Sequence, residues 1–286
     1  GRAVEIEIAS KSGVKVPSRD QWIDLPVGEG LLDHPIFSIT LQANETFAPL
    51  DAKSILNGTA VERIQAYEQD KSGYLTEGKH ELIWFTSREG EDGNTRFYQG
   101  SCAADSEGVF TIKVYMTHGL TSSGTLSLNE TQTTYFSKKP YLTTAADKSA
   151  ATAIVGEMLN KLLTRGTGYS LVKPGNVSSL IENYSNGNHY VGTTRLGTDS
   201  GLNNGTAVVD LNTKVYGMDN LFIVDASIFP EMVTTNPSAL IVSVAEHAVE
   251  KILALTGSGN GTETETAPVE EEVSPSAGNS TTSAVS

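Results

Sequence analysis

The chain has 286 residues, 38% apolar and 19% charged, which is enough apolar matter for a buried core and excludes a wholly disordered polymer. A net charge of −14 excludes a nucleic-acid-binding role, because no basic patch attracts phosphates through such a field. The single cysteine, Cys102, excludes an internal disulfide framework, and no apolar run is long enough to span a bilayer.

Val4 to Ile8 alternates apolar and acidic residues, and that period of two predicts a half-exposed strand. Glycine and proline forbid a regular element across Pro26 to Gly30. His34 follows, directly before Pro35, as the first candidate for chemistry; a structural histidine whose ring bonds to a loop is the favoured reading and a catalytic one the alternative. Ile36 to Thr40 is a short apolar strand, and Val61 to Gln69 has helical spacing. Glu81 to Thr86 and Arg96 to Ser101 are strand-like, separated by the turn-rich Arg88 to Thr95. Val109 to Met116 alternates cleanly, and Thr125 to Leu128 is expected to pair with it. Tyr135 to Tyr141 is a further extended segment, so the region forms an antiparallel sheet with one buried face.

Asp147 to Leu163 carries a helical stripe, with Arg165-Gly166 as its expected glycine cap. Ser178 to Tyr184 is a short helix, and Ala207 to Asp210 is a short apolar run ending in aspartate. Asn220 to Ser227 is expected to be a buried strand that delivers Asp225 and Ala226 to its carboxyl end. Ser238 to Leu255 is a long helix, with Pro237 at its start and Gly257 after its end. From Gly257 the composition turns to Gly, Ser, Thr and Glu, which cannot bury enough surface to fold, so 257–286 is expected to be a disordered tail.

Eight Asn-X-Ser/Thr sequons, at Asn44, Asn57, Asn129, Asn176, Asn183, Asn204, Asn260 and Asn279, exceed the roughly three that chance supplies, which points to a secreted glycoprotein. The chain opens on Gly1-Arg2-Ala3, which reads as the interior of a longer protein.

Three features carry chemical potential. His189 lies in a loop rich in Asn and Gly, a placement suited to general-base work. Asp225-Ala226 ends an apolar run where small residues let a ligand approach the backbone; equally, Asp225 can cap the next turn. Asn236-Pro237-Ser238 stands at a helix start, where unpaired N–H groups and a partial positive charge favour an anion; Asn236 can also serve as a plain cap. Metal spacing, a GxSxG elbow and a GxGxxG loop are all absent from the chain, so no metal site is expected.

Taken in order, these motifs resemble the C-terminal half of glucose–methanol–choline (GMC) flavoprotein oxidoreductases. The resemblance runs from about Trp22 to Leu255. It rests on Leu25 to Gly30 with Asp33-His34-Pro35, on His189 to Gly197, on Val208-Val209-Asp210, on Tyr216-Gly217 and on Asn220 to Pro230. Within the family, Asn188-His189, Asn236-Pro237 and the run from Trp84 to Gly100 are most similar to the flavin domain of fungal cellobiose dehydrogenases.

The resemblance implies an α/β fold: an antiparallel-sheet substrate domain with helices, plus the C-terminal part of an FAD-binding domain. Residues 1–35 would end one FAD-binding portion and cross over. Residues 36–185 would form the substrate domain, and 186–256 the second FAD-binding and catalytic segment. It implies FAD as cofactor, His189 as catalytic base, and Asn236 orienting the substrate hydroxyl. Asp225 and Ala226 would lie along the ribityl and pyrophosphate, Pro237 and Ser238 at the flavin ring edge, and Asn188 on a sugar hydroxyl. The implied partners are a sugar or related alcohol and an electron acceptor, whether oxygen, a quinone or a haem domain. Two departures stand out. Ser101-Cys102-Ala103 occupies the place of a sugar-contacting arginine, which argues against cellobiose itself. The family's N-terminal dinucleotide-binding βαβ unit is missing, so weak FAD binding and no activity are expected of this chain alone. A secreted, non-catalytic glycan-binding protein is the alternative in a different class.

Overall fold

The chain begins with a helix, α1 (Ala3–Lys11), followed by β1 (Glu29–Leu31), β2 (Pro35–Ala43) and two short helices, α2 (Ala52–Leu56) and α3 (Val61–Asp70). Three long strands then run as consecutive hairpins, β3 (Leu82–Glu89), β4 (Thr95–Ser106) and β5 (Val109–His118). After them come β6 (Gly124–Leu128), β7 (Thr134–Lys138), α4 (Ala145–Leu162), β8 (Tyr169–Leu171), α5 (Val177–Glu182), β9 (Ser185–Asn186) and finally α6 (Ser238–Thr256). This computed structural model describes residues 1–47, 51–76, 80, 82–173 and 175–256, so the expected disordered tail lies outside the described residues.

The larger sheet has the order β3-β4-β5-β2-β8, with β9 also paired to β2. The smaller has the order β1-β6-β7, and every ladder in both is antiparallel. The mixed α/β class with antiparallel sheets is thus as the sequence implies. On β2 and β5 alternate residues are fully buried: Phe37, Ile39 and Leu41 face the same core as Ile112, Val114 and Met116. α4 closes that core with Ala151, Ile154, Val155 and Leu159. A second core gathers Leu25, Val191, Val208, Val209, Val215, Ile228 and Phe229 around the C-terminal segment.

Five expectations fail. The stretch Pro26 to Gly30 is not irregular throughout: Glu29 and Gly30 open β1, where Glu29 pairs with Thr125. Val4 to Ile8 lies in α1 rather than in a strand: Arg2 pairs with Glu5 one turn on, and Glu5 also accepts the Leu128 N–H at 2.8 Å. The Arg2 and Glu5 side chains take up the Leu126 carbonyl and the Leu128 N–H of β6, the backbone groups that a paired strand would need, and five alternating residues do not form a strand without a partner. β6 does not pair with β5, because β2 occupies that edge along seven residue pairs from Ile36 to Gln42; β6 pairs with β1 and β7 instead. Residues 220–227 form no ladder. A single bridge between Lys214 and Phe222 holds them, Leu221 is exposed, and the chain passes at Asp225 into a tight turn. α4 ends at Leu162 with Leu163 as its cap, ahead of Gly166.

One buried ion pair ties the sheet to α4. Arg96, fully buried on β4, donates from Nε and Nη2 to Asp147 at 2.9 and 2.8 Å and holds Asp92 through its outer nitrogens. Burial opposes the charge on Asp147, but bonds from Ser122, Arg96 and the Thr121 N–H hold its pKa below the usual carboxylate range. Asp147→Ala leaves Arg96 half-paired in the core and is expected to cost about 3–5 kcal/mol. Urea denaturation of the variant checks this; a loss under about 1 kcal/mol, the worth of a surface pair, contradicts it.

Candidate active site

Asp33 and His34 lie between Leu31 and Pro35, all of them buried where β1 leads into β2. The Asp33 carboxylate accepts three hydrogen bonds. One comes from the Tyr141 hydroxyl at 2.5 Å, and two come from the backbone N–H groups of Asn188 and His189 at 3.1 and 3.0 Å. A buried carboxylate stays charged only when so supplied. Burial, and then the bond to Asp33, push the Tyr141 hydroxyl well above its ordinary pKa, so it remains a donor.

The loop on the other side is shaped to make this contact. A Cβ on Gly187 would lie 2.7 Å from Asp33 Oδ1 and from His34 Nε2, so only glycine lets the loop lie so close. Asn188 adopts a left-handed backbone (φ 58°), a conformation asparagine tolerates better than most residues. Gly192, at φ 89°, faces the Gly30 carbonyl, which a Cβ would approach to 2.5 Å.

His189 emerges half-buried with its Nδ1 2.8 Å from His34 Nε2. The two rings are 5.0 Å apart, and Tyr115 on β5 lies 6.0 Å from His34 on another side. Burial, followed by the nearby His189 and against the pull of Asp33, pushes the His34 pKa down to about 4, so His34 is a neutral ring at physiological pH. His189 Nε2 has no partner among the described residues.

The remaining site residues gather on the same side of the sheet. Gln99 and Tyr115 are direct cross-strand partners and so share the face opposite Tyr98 and Val114. Thr235 donates to Gln99 at 3.1 Å, and the Thr117 hydroxyl holds the Thr234 carbonyl at 2.8 Å, which fixes Thr234 to Asn236 over this face. A cavity of about 520 Å³ opens there, lined in part by Phe85, Ser87, Phe97 and Thr235.

Asn236 is exposed and forms no side-chain hydrogen bond among the described residues, so it does not act as a helix cap. Pro237 is buried, and its carbonyl accepts the Ile241 N–H at 2.9 Å as α6 begins at the exposed Ser238. Asp225 does cap: its Oδ1 accepts the Ser227 N–H at 2.8 Å and the Ser227 hydroxyl at 2.5 Å, and Ala226 is the first residue of that turn. Thr194 binds Ser227 through backbone and hydroxyl, which joins this turn to the segment that follows His189. Asn188 accepts the Tyr190 hydroxyl at 3.0 Å.

Tyr141 does not stand out as a site residue in the sequence, whereas His34 is a candidate there and Asp33-His34-Pro35 is part of the motif order that carries the resemblance. What sequence reasoning misses is the pairing: the contacts of Asp33 and His34 to Asn188 and His189 span 155 residues or more and carry no local pattern.

A profile of the GMC oxidoreductase family matches residues 121–245. A truncated, inactive GMC-type oxidoreductase of Acanthamoeba polyphaga mimivirus is 38% identical over 77 residues, covering 27% of this chain and 84% of that one. Mitochondrial choline dehydrogenase of Mus musculus is 53% identical over 47 residues, covering 16% of this chain and 8% of that one. Among solved structures, an FAD-dependent oxidoreductase from Chaetomium thermophilum matches with a TM-score of 0.63 at 17% identity, covering 88% of this chain and 52% of its own. The chain thus spans about half the length of that solved structure and far less of the choline dehydrogenase.

The folded chain binds a proton at His34 less readily than the unfolded chain, whose histidine titrates near 6.5. Between pH 6.5 and about 4 the unfolded state therefore takes up the extra proton, and stability falls as the pH drops through that window. His34→Gln is expected to flatten this part of the stability–pH profile, measured by denaturation at a series of pH values. An unchanged slope removes His34 from the balance.

Proposed function

Because this chain belongs to the GMC oxidoreductase family, we propose that it supplies the catalytic wall of an FAD-dependent enzyme that oxidises an alcohol, with His189 as the base. The observation that carries this reading is a coincidence of unpaired polar groups. Among the described residues His189 Nε2, the Asn236 amide and the N–H groups at the start of α6 have no hydrogen-bond partner, and their neighbours His34 and Thr235 meet Tyr115 and Gln99 on one face of the sheet.

That donor set fits a flavin. The N–H groups of Ser238, Ala239 and Leu240 precede the first helical bond of α6, and a helix start favours the negative charge of a reduced ring. Asp225 spends Oδ1 on its turn and keeps Oδ2 for a ribityl hydroxyl, with Ala226 beside it. FAD held by these residues would supply the hydride acceptor for the alcohol carbon. His189 Nε2 takes the hydroxyl proton as the C=O bond forms, and Asn236 holds the same oxygen by its amide. Asn188 offers its side chain to a neighbouring hydroxyl. The ADP end of FAD requires a dinucleotide-binding βαβ unit, which the antiparallel strands described here do not form.

The substrate we propose is a sugar or related polyol. The Asn188-His189 and Asn236-Pro237 pairs, which resemble those of fungal cellobiose dehydrogenases, support it, as does the polar-aromatic face of Gln99, Ser101 and Tyr115. A secreted, glycosylated protein agrees with the six described sequon asparagines, all of which are exposed. The electron acceptor in this reading is oxygen, a quinone or a haem domain. The similarity to a truncated, inactive relative supports a second reading, a non-catalytic glycan binder.

Colour separates the two: the enzyme carrying its βαβ unit is expected to be yellow and to bleach with its alcohol, whereas a colourless sugar-binding protein contradicts the oxidoreductase reading. In that enzyme His189→Ala is expected to slow flavin reduction by roughly 10²–10⁴-fold. Asn236→Ala is expected to slow it by about tenfold or more, the worth of a hydrogen bond to a charged group. Stopped-flow absorbance measures both, and undiminished rates remove these residues from the mechanism. The chain alone is expected to bind FAD weakly, and tight quenching of flavin fluorescence by these 286 residues contradicts that division of the site.

A further inference from the structure

His34 and His189 share one hydrogen bond at 2.8 Å, and two neutral imidazoles can make it in two ways. If His34 Nε2 carries the hydrogen, His189 Nδ1 accepts, its proton lies on Nε2, and the outward nitrogen is not a base. If His189 Nδ1 carries the hydrogen, its Nε2 presents a lone pair to the open side.

The role of His189 selects the second arrangement. A base needs Nε2 unprotonated, so the one hydrogen of neutral His189 lies on Nδ1, and His34 Nε2, 2.8 Å away, is the atom placed to accept it. His34 Nε2 then carries no hydrogen, and its own proton lies on Nδ1, which is buried with no hydrogen-bond partner among the described residues. The other titratable groups facing the pair are Asp33, Tyr115 and Tyr141. Asp33 is occupied by Tyr141 and by two backbone N–H groups, and the Tyr115 hydroxyl is turned to Ser101 at 3.5 Å. None of these donates a hydrogen to His34.

We propose that His34 is a positioning residue that accepts the Nδ1–H of His189 and so fixes it in the tautomer whose Nε2 is free to take a proton. This rests on His189 being the base. The consequence is directional. When His189 receives the substrate proton, it keeps its Nδ1–H bond to His34, and the resulting cation stays at the half-exposed ring. A proton on buried His34 is disfavoured by desolvation, so the charge is not passed inward. Free histidine prefers the opposite tautomer, with the proton on Nε2, so the bond has a preference to overcome.

Nitrogen-15 spectroscopy of the histidine-labelled chain reads the tautomers directly. It requires no flavin, and the five histidine signals are assigned by single substitution. The expected result is Nδ1–H for both His34 and His189. His34→Leu, which removes the acceptor, is expected to return His189 to Nε2–H, and His34→Gln, whose amide oxygen can accept the same bond, is expected to restore Nδ1–H. An unchanged signal from His118, which is held by the Met232 carbonyl and packs against Phe97, shows that the variants are folded. An Nε2–H tautomer of His189 in the unmodified chain overturns the proposal, and so does an Nδ1–H tautomer that survives His34→Leu. In the flavin-loaded enzyme His34→Leu is expected to slow flavin reduction by about a hundredfold, within the 10²–10⁴-fold span of general-base catalysis. The spectra decide the role of His34, while the rate of His189→Ala decides separately whether His189 is the base.

Discussion

A single buried carboxylate holds the two ends of this fold together. Asp33 gathers a tyrosine hydroxyl from the segment before α4 and two backbone N–H groups from the loop at Asn188, three donors from positions more than a hundred residues away. A charge in that place costs several kcal/mol unless its lone pairs are filled, so the loop is held wherever its N–H groups can fill them. Gly187 permits the approach, and the left-handed backbone at Asn188 turns both N–H groups toward Asp33. His189 is thereby brought to His34 by its own main chain, before any side-chain contact is made.

From this anchor the rest of the site follows outward. The large sheet buries one face under α4 and leaves the other for the C-terminal segment, which Thr117 and Gln99 hold by Thr234 and Thr235. Packing on the buried face fixes which way Gln99 and Tyr115 point, since a strand shows alternate residues to opposite sides. Burial under α4 and the aim of the site residues are therefore set by the same strands. The Arg96–Asp147 pair keeps α4 in register with β4, so a defect there reaches the site through the sheet.

Much of this architecture was legible because it is local. The alternation from Val109 to Met116 and the helical stripe of Ser238 to Leu255 depend on near neighbours, and both elements are present. The failures are those that local pattern cannot settle. Val4 to Ile8 alternates like a strand, but a strand needs an open edge, and edge occupancy is a property of the whole sheet. Asn220 to Ser227 has the composition of a buried strand but meets only one bridging partner. At the site, His189 and Asn236 could be singled out by motif order and by position before a helix. The bond between His34 and His189 could not, because 155 residues separate them and a histidine before proline looks alike whether it braces a loop or a base.

The central claim is that His189 and Asn236 present their unpaired groups to one substrate oxygen. A structure of the flavin-loaded enzyme with a non-reacting alcohol analogue tests it most directly. The account predicts that the analogue hydroxyl lies within about 2.6–3.2 Å of both His189 Nε2 and the Asn236 amide. A bound hydroxyl that reaches neither group, or an Nε2 turned away and bonded to protein, contradicts it.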